Sequence, residues 1–422
     1  MIPSRRDVLL GALAAGLAGT TARAATAPRR LVVLHCDGGW DTTFTFDPKP
    51  GIDSVAGPGV DADLSNPLDQ EEIGQWGEIE VTLNAARRNG VTRYFDDWGH
   101  RTTVVRGLWV GTVSHWIGRD RILCGTEVRG APDLTSIVGA TVGGPVLGMV
   151  DLSGNGRFGA ASSLGARAGQ RGQLRGLLLP SSRFATASGA ARPAEHSPGM
   201  RAQVDAWLQQ SATAEIAGRI EEPSRAVALN ARTQARARGR ALAAQAGTLD
   251  PVLPAGARDL QDQVLLAVEL LAAGTCQSVL IDSAQHWDTH ASHVDQHFSQ
   301  HATFSGLRIL VEGLEAAGLL DDTLVVVLSE MGRTPWRNAD GGTEHWPYTG
   351  ALLVGGGVAG GRVIGATDDH LIGQPIDTAN GVLDAGGAVP RFDQFAAAVL
   401  HQVGIDPGDW LPGVVPLGGL RA

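Results

Sequence analysis

The sequence predicts an α/β protein with a doubly wound, mainly parallel sheet and helices on both faces. Three observations carry this. Apolar runs of strand length recur, bounded by Gly, Asp and Pro. Stretches of helical length alternate with them through the C-terminal half. Acidic or imidazole side chains stand directly after several of the runs.

Residues 1–24 have a different character. Ser4-Arg5-Arg6 precedes an apolar Gly/Ala-rich run from Val8 to Gly19, and Ala22-Arg23-Ala24 offers a small-x-small cleavage site. This reads as a twin-arginine secretory signal, handled by the twin-arginine export machinery, and the run is too short to span a membrane. The expected location is therefore periplasmic or secreted. Residues 25–422 form the mature domain, with no membrane span expected in it. The 422 residues carry a net charge of −10, about −12 once the signal is removed. No long basic stretch exists, so nucleic acid is not an expected partner. Cys36, Cys124 and Cys276 are too few and too scattered for a disulfide framework and read as small buried residues.

The run RLVVLHC at 30–36 is the first buried strand. It ends in Asp37-Gly38-Gly39-Trp40-Asp41, where two glycines let the backbone turn beside a carboxylate. A long Gly/Asp/Pro loop follows to Asn66, and residues 71–89 suggest a helix of weak periodicity. Residues 102–105 read as a strand, 132–141 as a helix, and 146–150 and 177–179 as strands. Residues 151–257 read as a cap or insertion, with helical composition from 197 to 247. Then come a helix at 258–273, a strand at 278–282, a helix at 304–317, a strand at 323–328, a strand at 351–354 and a final helix at 392–403.

Between the strand at 278–282 and the next helix lies Gln285-His286-Trp287-Asp288-Thr289-His290-Ala291-Ser292-His293, with His297 and His301 beyond. The histidines step by four, three, four and four, which is one face of a helix. A partly solvated polar stripe accounts for His297 and His301. Asp288, His290 and His293 pair imidazole with carboxylate, the donors a divalent metal selects. Asp37, Glu330 and His345 likewise follow apolar runs. In a parallel sheet the carboxyl ends of the strands share one edge, so such residues converge without being neighbours in sequence. Each alone has a plainer role: Asp37 capping a turn, Glu330 pairing with Arg333, His345 sitting in a loop. Together they point to a metal site. The expected cofactor is a divalent metal, zinc first, with calcium, magnesium or manganese as alternatives.

These segments carry a resemblance. Trp287-Asp288-Thr289-His290, Ser329-Glu330-Met331-Gly332-Arg333-Thr334-Pro335, Glu344-His345-Trp346, Gly355 to Gly361 leading to Asp368, Gly38-Gly39-Trp40-Asp41 and Phe46-Asp47-Pro48-Lys49-Pro50 resemble a family of exported bacterial proteins of unknown function. That family lies within the alkaline phosphatase and sulfatase superfamily. The resemblance spans roughly residues 29–404 and is thin between 150 and 250. It implies an alkaline phosphatase-like fold and a metal-dependent hydrolase of a small anionic phosphate or sulfate ester. A non-catalytic exported binding or assembly protein is the alternative.

By the same resemblance, Asp37 and Glu330 hold one metal. Asp288, His293 and His345 hold the other, with His290 the rival of His293. Aligning on Arg119 and Cys124-Gly125 puts His115 at the nucleophile position. It is then a phosphoryl acceptor, a metal ligand or a remnant in a protein without hydrolase activity, the ligand role being preferred. Met331 stands where metal-binding relatives have His or Asn. Arg333 either grips an anion bidentately or pairs with Glu330. Trp40, Trp116, Trp287 and Trp346 are expected to pack as walls, with a stacked sugar substrate as the sharper alternative.

Overall fold

The structure is a computed structural model. It describes residues 29–63, 65–159, 164–167, 197–217, 237–242, 244 and 259–421. Residues 1–24 and the strand expected at 177–179 lie outside these, as does much of 151–257.

The strand built from the first apolar run, β1 (Arg30–His35), lies at the centre of an eight-stranded sheet. Its neighbours are β7 (Cys276–Asp282) and β8 (Thr323–Leu328), both parallel to it, with Leu34 opposite Ile281 and Val327. Beyond β7 come β5 (Leu147–Asp151) and β6 (Gly165–Arg167), again parallel. On the other side β11 (Tyr348–Gly355) runs antiparallel between β8 and β4 (Thr102–Trp109), and β12 (Arg362–Ile364) closes that edge parallel to β4. The expected mainly parallel α/β architecture is therefore present, with β11 the reversed strand.

Successive side chains of a strand point to opposite faces, and β1 feeds two cores accordingly. Val32, Leu34 and Cys36 pack with α1 (Asn89–Trp98), α5 (Leu260–Ala272) and α6 (Asp295–Ala316). Leu31 and Val33 pack with α2 (His115–Cys124), α3 (Leu134–Val142) and α7 (Phe392–Gln402). All three cysteines are buried and free. Among the described residues no helix is long and apolar enough to cross a membrane.

Four local expectations change. Residues 71–89 form a hairpin, β2 (Glu72–Trp76) and β3 (Ile79–Leu83), because Gly77 takes a φ of 64° and turns the chain back after five residues. α6 starts at Asp295, nine residues before the expected start. The histidine-rich loop before it already carries helical spacing, so the sequence does not mark where the helix begins. The loop expected around Glu344-His345-Trp346 is a two-stranded ribbon of β9 (Gly332–Arg337) and β10 (Thr343–Trp346). The expected insertion at 151–257 begins inside the sheet, since β6 pairs with β5. Its helical composition is realised in α4 (Pro198–Ala217).

Candidate metal centre at the carboxyl edge of the sheet

Every parallel strand near the middle of the sheet delivers a polar side chain to the same edge. β1 ends at His35 and leads to Asp37, β7 to Asp288 and His290, and β8 to Ser329 and Glu330. β4 leads to α2, whose first residue is His115. Because β11 is reversed, its start lies at this edge, and the ribbon before it brings in Arg333 and His345.

Close backbone approach makes the convergence possible. Gly38 has φ 131°, and a Cβ there would lie 2.7 Å from the amide nitrogen of Asp288. Gly342 presses its backbone on His290: a Cβ would meet that residue's carbonyl carbon at 2.1 Å. Asn338 adds a side-chain hydrogen bond from Nδ2 to the His290 carbonyl at 2.8 Å.

Glu330 is fully buried and heavily satisfied. Its Oε1 accepts from the Gly38 amide at 2.8 Å and from His115 Nδ1 at 2.7 Å, and its Oε2 accepts from Ser329 Oγ at 3.2 Å. Burial alone would raise its pKa. The hydrogen bond from His115 and the nearby imidazole of His35 outweigh it and hold the carboxyl well below its ordinary range. His35 is itself fully buried, with Nε2 3.5 Å from Glu330 Oε2 and neither ring nitrogen hydrogen-bonded. Burial works to lower its pKa, and the buried carboxylate lifts it above the usual value. His115 is raised too, first by its hydrogen bond to Glu330. Asp37 is held by Arg119, whose Nη2 lies 2.7 Å from both carboxylate oxygens.

Asp288 is the outer hub. Its Oδ1 receives Arg333 Nη2 at 2.7 Å and stands 3.0 Å from both His345 Nε2 and His290 Nε2. Its Oδ2 is 3.4 Å from His115 Nε2. Partial burial favours the neutral acid, but Arg333 and His345 reverse this and keep the carboxyl below its usual range. The remaining ring nitrogens are assigned by their partners. His345 Nδ1 donates to the Val113 carbonyl at 2.8 Å, and His290 Nδ1 donates to Glu344 Oε2 at 2.7 Å.

Two groups thus have donor atoms within 4.8 Å of one another: His115, Asp288 and His345, and His35, Asp37 and Glu330. Of the expected residues, Asp37, His115, Arg119, Asp288, His290, Glu330, Arg333 and His345 come together here. His293 does not. It is buried in a separate pairing, with Nε2 donating to Asp41 Oδ2 at 2.9 Å and Nδ1 accepting from Arg337 Nη2 at 2.9 Å. It sits two residues before α6 begins with its ring against Phe44, and His290 is the histidine that reaches Asp288. His297 also departs from the expected solvated stripe: it is 1% exposed and accepts from Arg88 Nη1 at 2.7 Å.

Arg333 pairs with Asp288 instead of Glu330. It is 1% exposed, and Nε and Nη1 donate to the carbonyls of Gly39 and Thr343, while Nη2 also reaches the carbonyl of Gly38. Such a side chain clamps the Gly38-Gly39 turn to the ribbon and has no donor aimed at solvent. Met331 is fully buried. Trp40 and Trp287 are core residues with no exposure, as wall packing requires, whereas Trp116 is 71% exposed beside His115. Sequence reasoning missed His35; the signal was one imidazole ending an otherwise apolar strand.

Fold and site together define an α/β protein with a carboxylate–imidazole centre at the carboxyl edge of its sheet. The family model described as "Protein of unknown function (DUF1501)" matches residues 28–414, and the chain belongs to that family. No curated protein matches it. Among solved structures it is similar to a protein in the alkaline phosphatase superfamily from Vibrio parahaemolyticus, with 8% identity, a TM-score of 0.38, and coverage of 94% of this chain and 74% of that one. It is similar to the lipoteichoic acid synthase LtaP from Listeria monocytogenes, with 8% identity, a TM-score of 0.39, and coverage of 97% and 80%. The PsFucS1 sulfatase from Pseudoalteromonas sp. gives 12% identity, a TM-score of 0.37, and coverage of 94% and 74%. Likenesses at this level define neither a ligand nor a reaction.

Proposed function

We propose that this protein is an exported, metal-dependent hydrolase of a phosphate or sulfate ester. The observation that carries the reading is the meeting, at one sheet edge, of the carboxylates of Asp37, Asp288 and Glu330 with the imidazoles of His35, His115, His290 and His345. The donors suit a divalent metal, because ring nitrogens whose other nitrogen already donates a proton present lone pairs. When bound, such a metal supplies Lewis acidity to an ester oxygen and acidifies a water.

The chain's own residues supply the rest. His115 lies at the first position of α2, with Nδ1 committed to Glu330, so Nε2 is the atom that accepts or delivers a proton in the site. Arg119 lies one turn further along the same helical face. It keeps a positive charge beside Asp37 where an anionic ester would dock. Glu330 orients His115 and does not itself face solvent.

Turnover of an aryl phosphate or aryl sulfate by metal-replete protein tests this. His115→Ala should lower kcat/KM by about 10²-fold or more. Absence of any turnover in wild-type protein that carries metal would sink the hydrolase reading. A non-catalytic exported binding protein is the second reading. It is favoured by the imidazole at position 115, where the resemblance calls for Ser, Thr or Cys, and by Met331. Export through the twin-arginine route is tested by Arg5→Lys with Arg6→Lys, which should hold the chain in the cytoplasm. Unchanged export would remove that part of the proposal.

A further inference from the structure

Three atoms around Asp288 form a triangle with equal sides. His290 Nε2 and His345 Nε2 are 3.0 Å apart, and each is 3.0 Å from Asp288 Oδ1. With His345 Nδ1 donating to Val113 and His290 Nδ1 donating to Glu344, each ring in its neutral form offers the lone pair of Nε2 to a cation. Two imidazole nitrogens and a carboxylate oxygen at these spacings are the donor set a divalent cation selects. We propose that one divalent cation binds here, on His290, His345 and Asp288, and that Arg119 and Arg333 carry the positive charge a second metal would bring. The inference deepens the proposed function and rests only on its premise of a bound metal.

The spacing limits the coordination. Neighbouring donors around a six-coordinate ion with bonds of about 2.1 Å stand roughly 3.0 Å apart, whereas a tetrahedral ion spreads them to about 3.3–3.4 Å. Two imidazoles and one carboxylate on one face of an octahedron leave the opposite face for water and an oxyanion. Nitrogen donors favour a first-row transition ion over calcium or magnesium.

The pairings already made argue for a single ion. The inner carboxylates are already engaged. Both oxygens of Asp37 lie on Arg119 Nη2, and Glu330 accepts from His115, Gly38 and Ser329. Arg333 donates to Asp288 Oδ1, the same oxygen that completes the triangle, so it fixes the carboxylate's orientation from behind.

The test is metal content after loading the full chain with Mn(II), Zn(II) or Co(II) and removing the excess, read by mass spectrometry, with thermal melting as a check on folding. Wild type should hold about one equivalent. His290→Ala and His345→Ala should lose it while still melting cooperatively, and His293→Ala, Asp37→Asn and Glu330→Gln should keep it. The Co(II) form should show the weak visible bands of six-coordination. Two equivalents in wild type, with one lost in Asp37→Asn, would overturn the single-ion proposal, as would metal loss in His293→Ala with His290→Ala unaffected. If the folded wild type takes up no metal, this inference and the metal-dependent reading fall together. If it binds one equivalent on these residues and turns over no ester, only the hydrolase reading falls.

Discussion

Arg333→Met removes a buried guanidinium while roughly keeping its length, and its cost follows from the contacts. The guanidinium donates to three main-chain carbonyls, those of Gly38, Gly39 and Thr343, and to the Asp288 carboxylate. Each carbonyl left facing a thioether costs about 1 kcal/mol or more. A fully buried ion pair broken on one side costs about 3–5 kcal/mol, but Asp288 is 39% exposed, so solvent recovers much of that part. The total is about 4 kcal/mol. Unfolding entropy near 2.1 cal/mol/K per residue over about 400 residues makes this a Tm drop of about 5 °C. Differential scanning calorimetry at a fixed scan rate measures it. Arg333→Lys keeps the charge but cannot satisfy the three carbonyls together, so it should recover less than half of the loss. A drop under about 1 °C for Arg333→Met would refute the clamp, and with it the account of how the Gly38-Gly39 turn is held against the ribbon.

Further outcomes follow from single positions. Burial, with help from Arg88 and Arg87, pushes His297 down to about 3 from a free value of 6.5. Between those values the unfolded chain binds a proton that the fold excludes, so this residue's contribution to stability falls as pH drops from 6.5, by up to about 1.4 kcal/mol per pH unit. Equilibrium denaturation of His297→Asn from pH 7 to 4 should show that much less slope than wild type, and equal slopes would contradict the burial argument. Gly342→Ala forces the backbone away from His290 and should cost about 1–3 kcal/mol. It should also weaken metal retention, and a variant with unchanged melting and unchanged metal content would show that the close approach does not position His290.

The alternation of apolar runs and helices was legible because parallel strands buried on both faces cannot hide their composition. The acids at the sheet edge were legible for a related reason: Asp37 and Glu330 each break an apolar pattern at its end, and Asp288 stands among the histidines of the loop that follows another. What was not legible depended on direction and on turns. A reversed strand such as β11 has the same composition as a forward one, so nothing at 351–354 told that His345 would reach the edge from before the strand instead of after it. The choice between His290 and His293 was likewise hidden. It rests on where α6 begins, and Asp41 and Arg337, which take up His293, lie far away in sequence. Arg333 drew attention to Glu330 through proximity in the chain, whereas the fold gave it Asp288, 45 residues earlier.

The central placing of β1 has a cost in time. Arg30–His35 leaves the ribosome well before its partners, Cys276–Asp282 and Thr323–Leu328. At about 5–20 residues per second, translation needs roughly 15–60 s to bring out the second of them. For that interval the run Leu31-Val32-Val33-Leu34 is an apolar segment without its native neighbours, which a chaperone or a provisional pairing must shield. His35 and Asp37 wait with it. A cation held by His290, His345 and Asp288 would therefore mark a chain whose synthesis has passed residue 345.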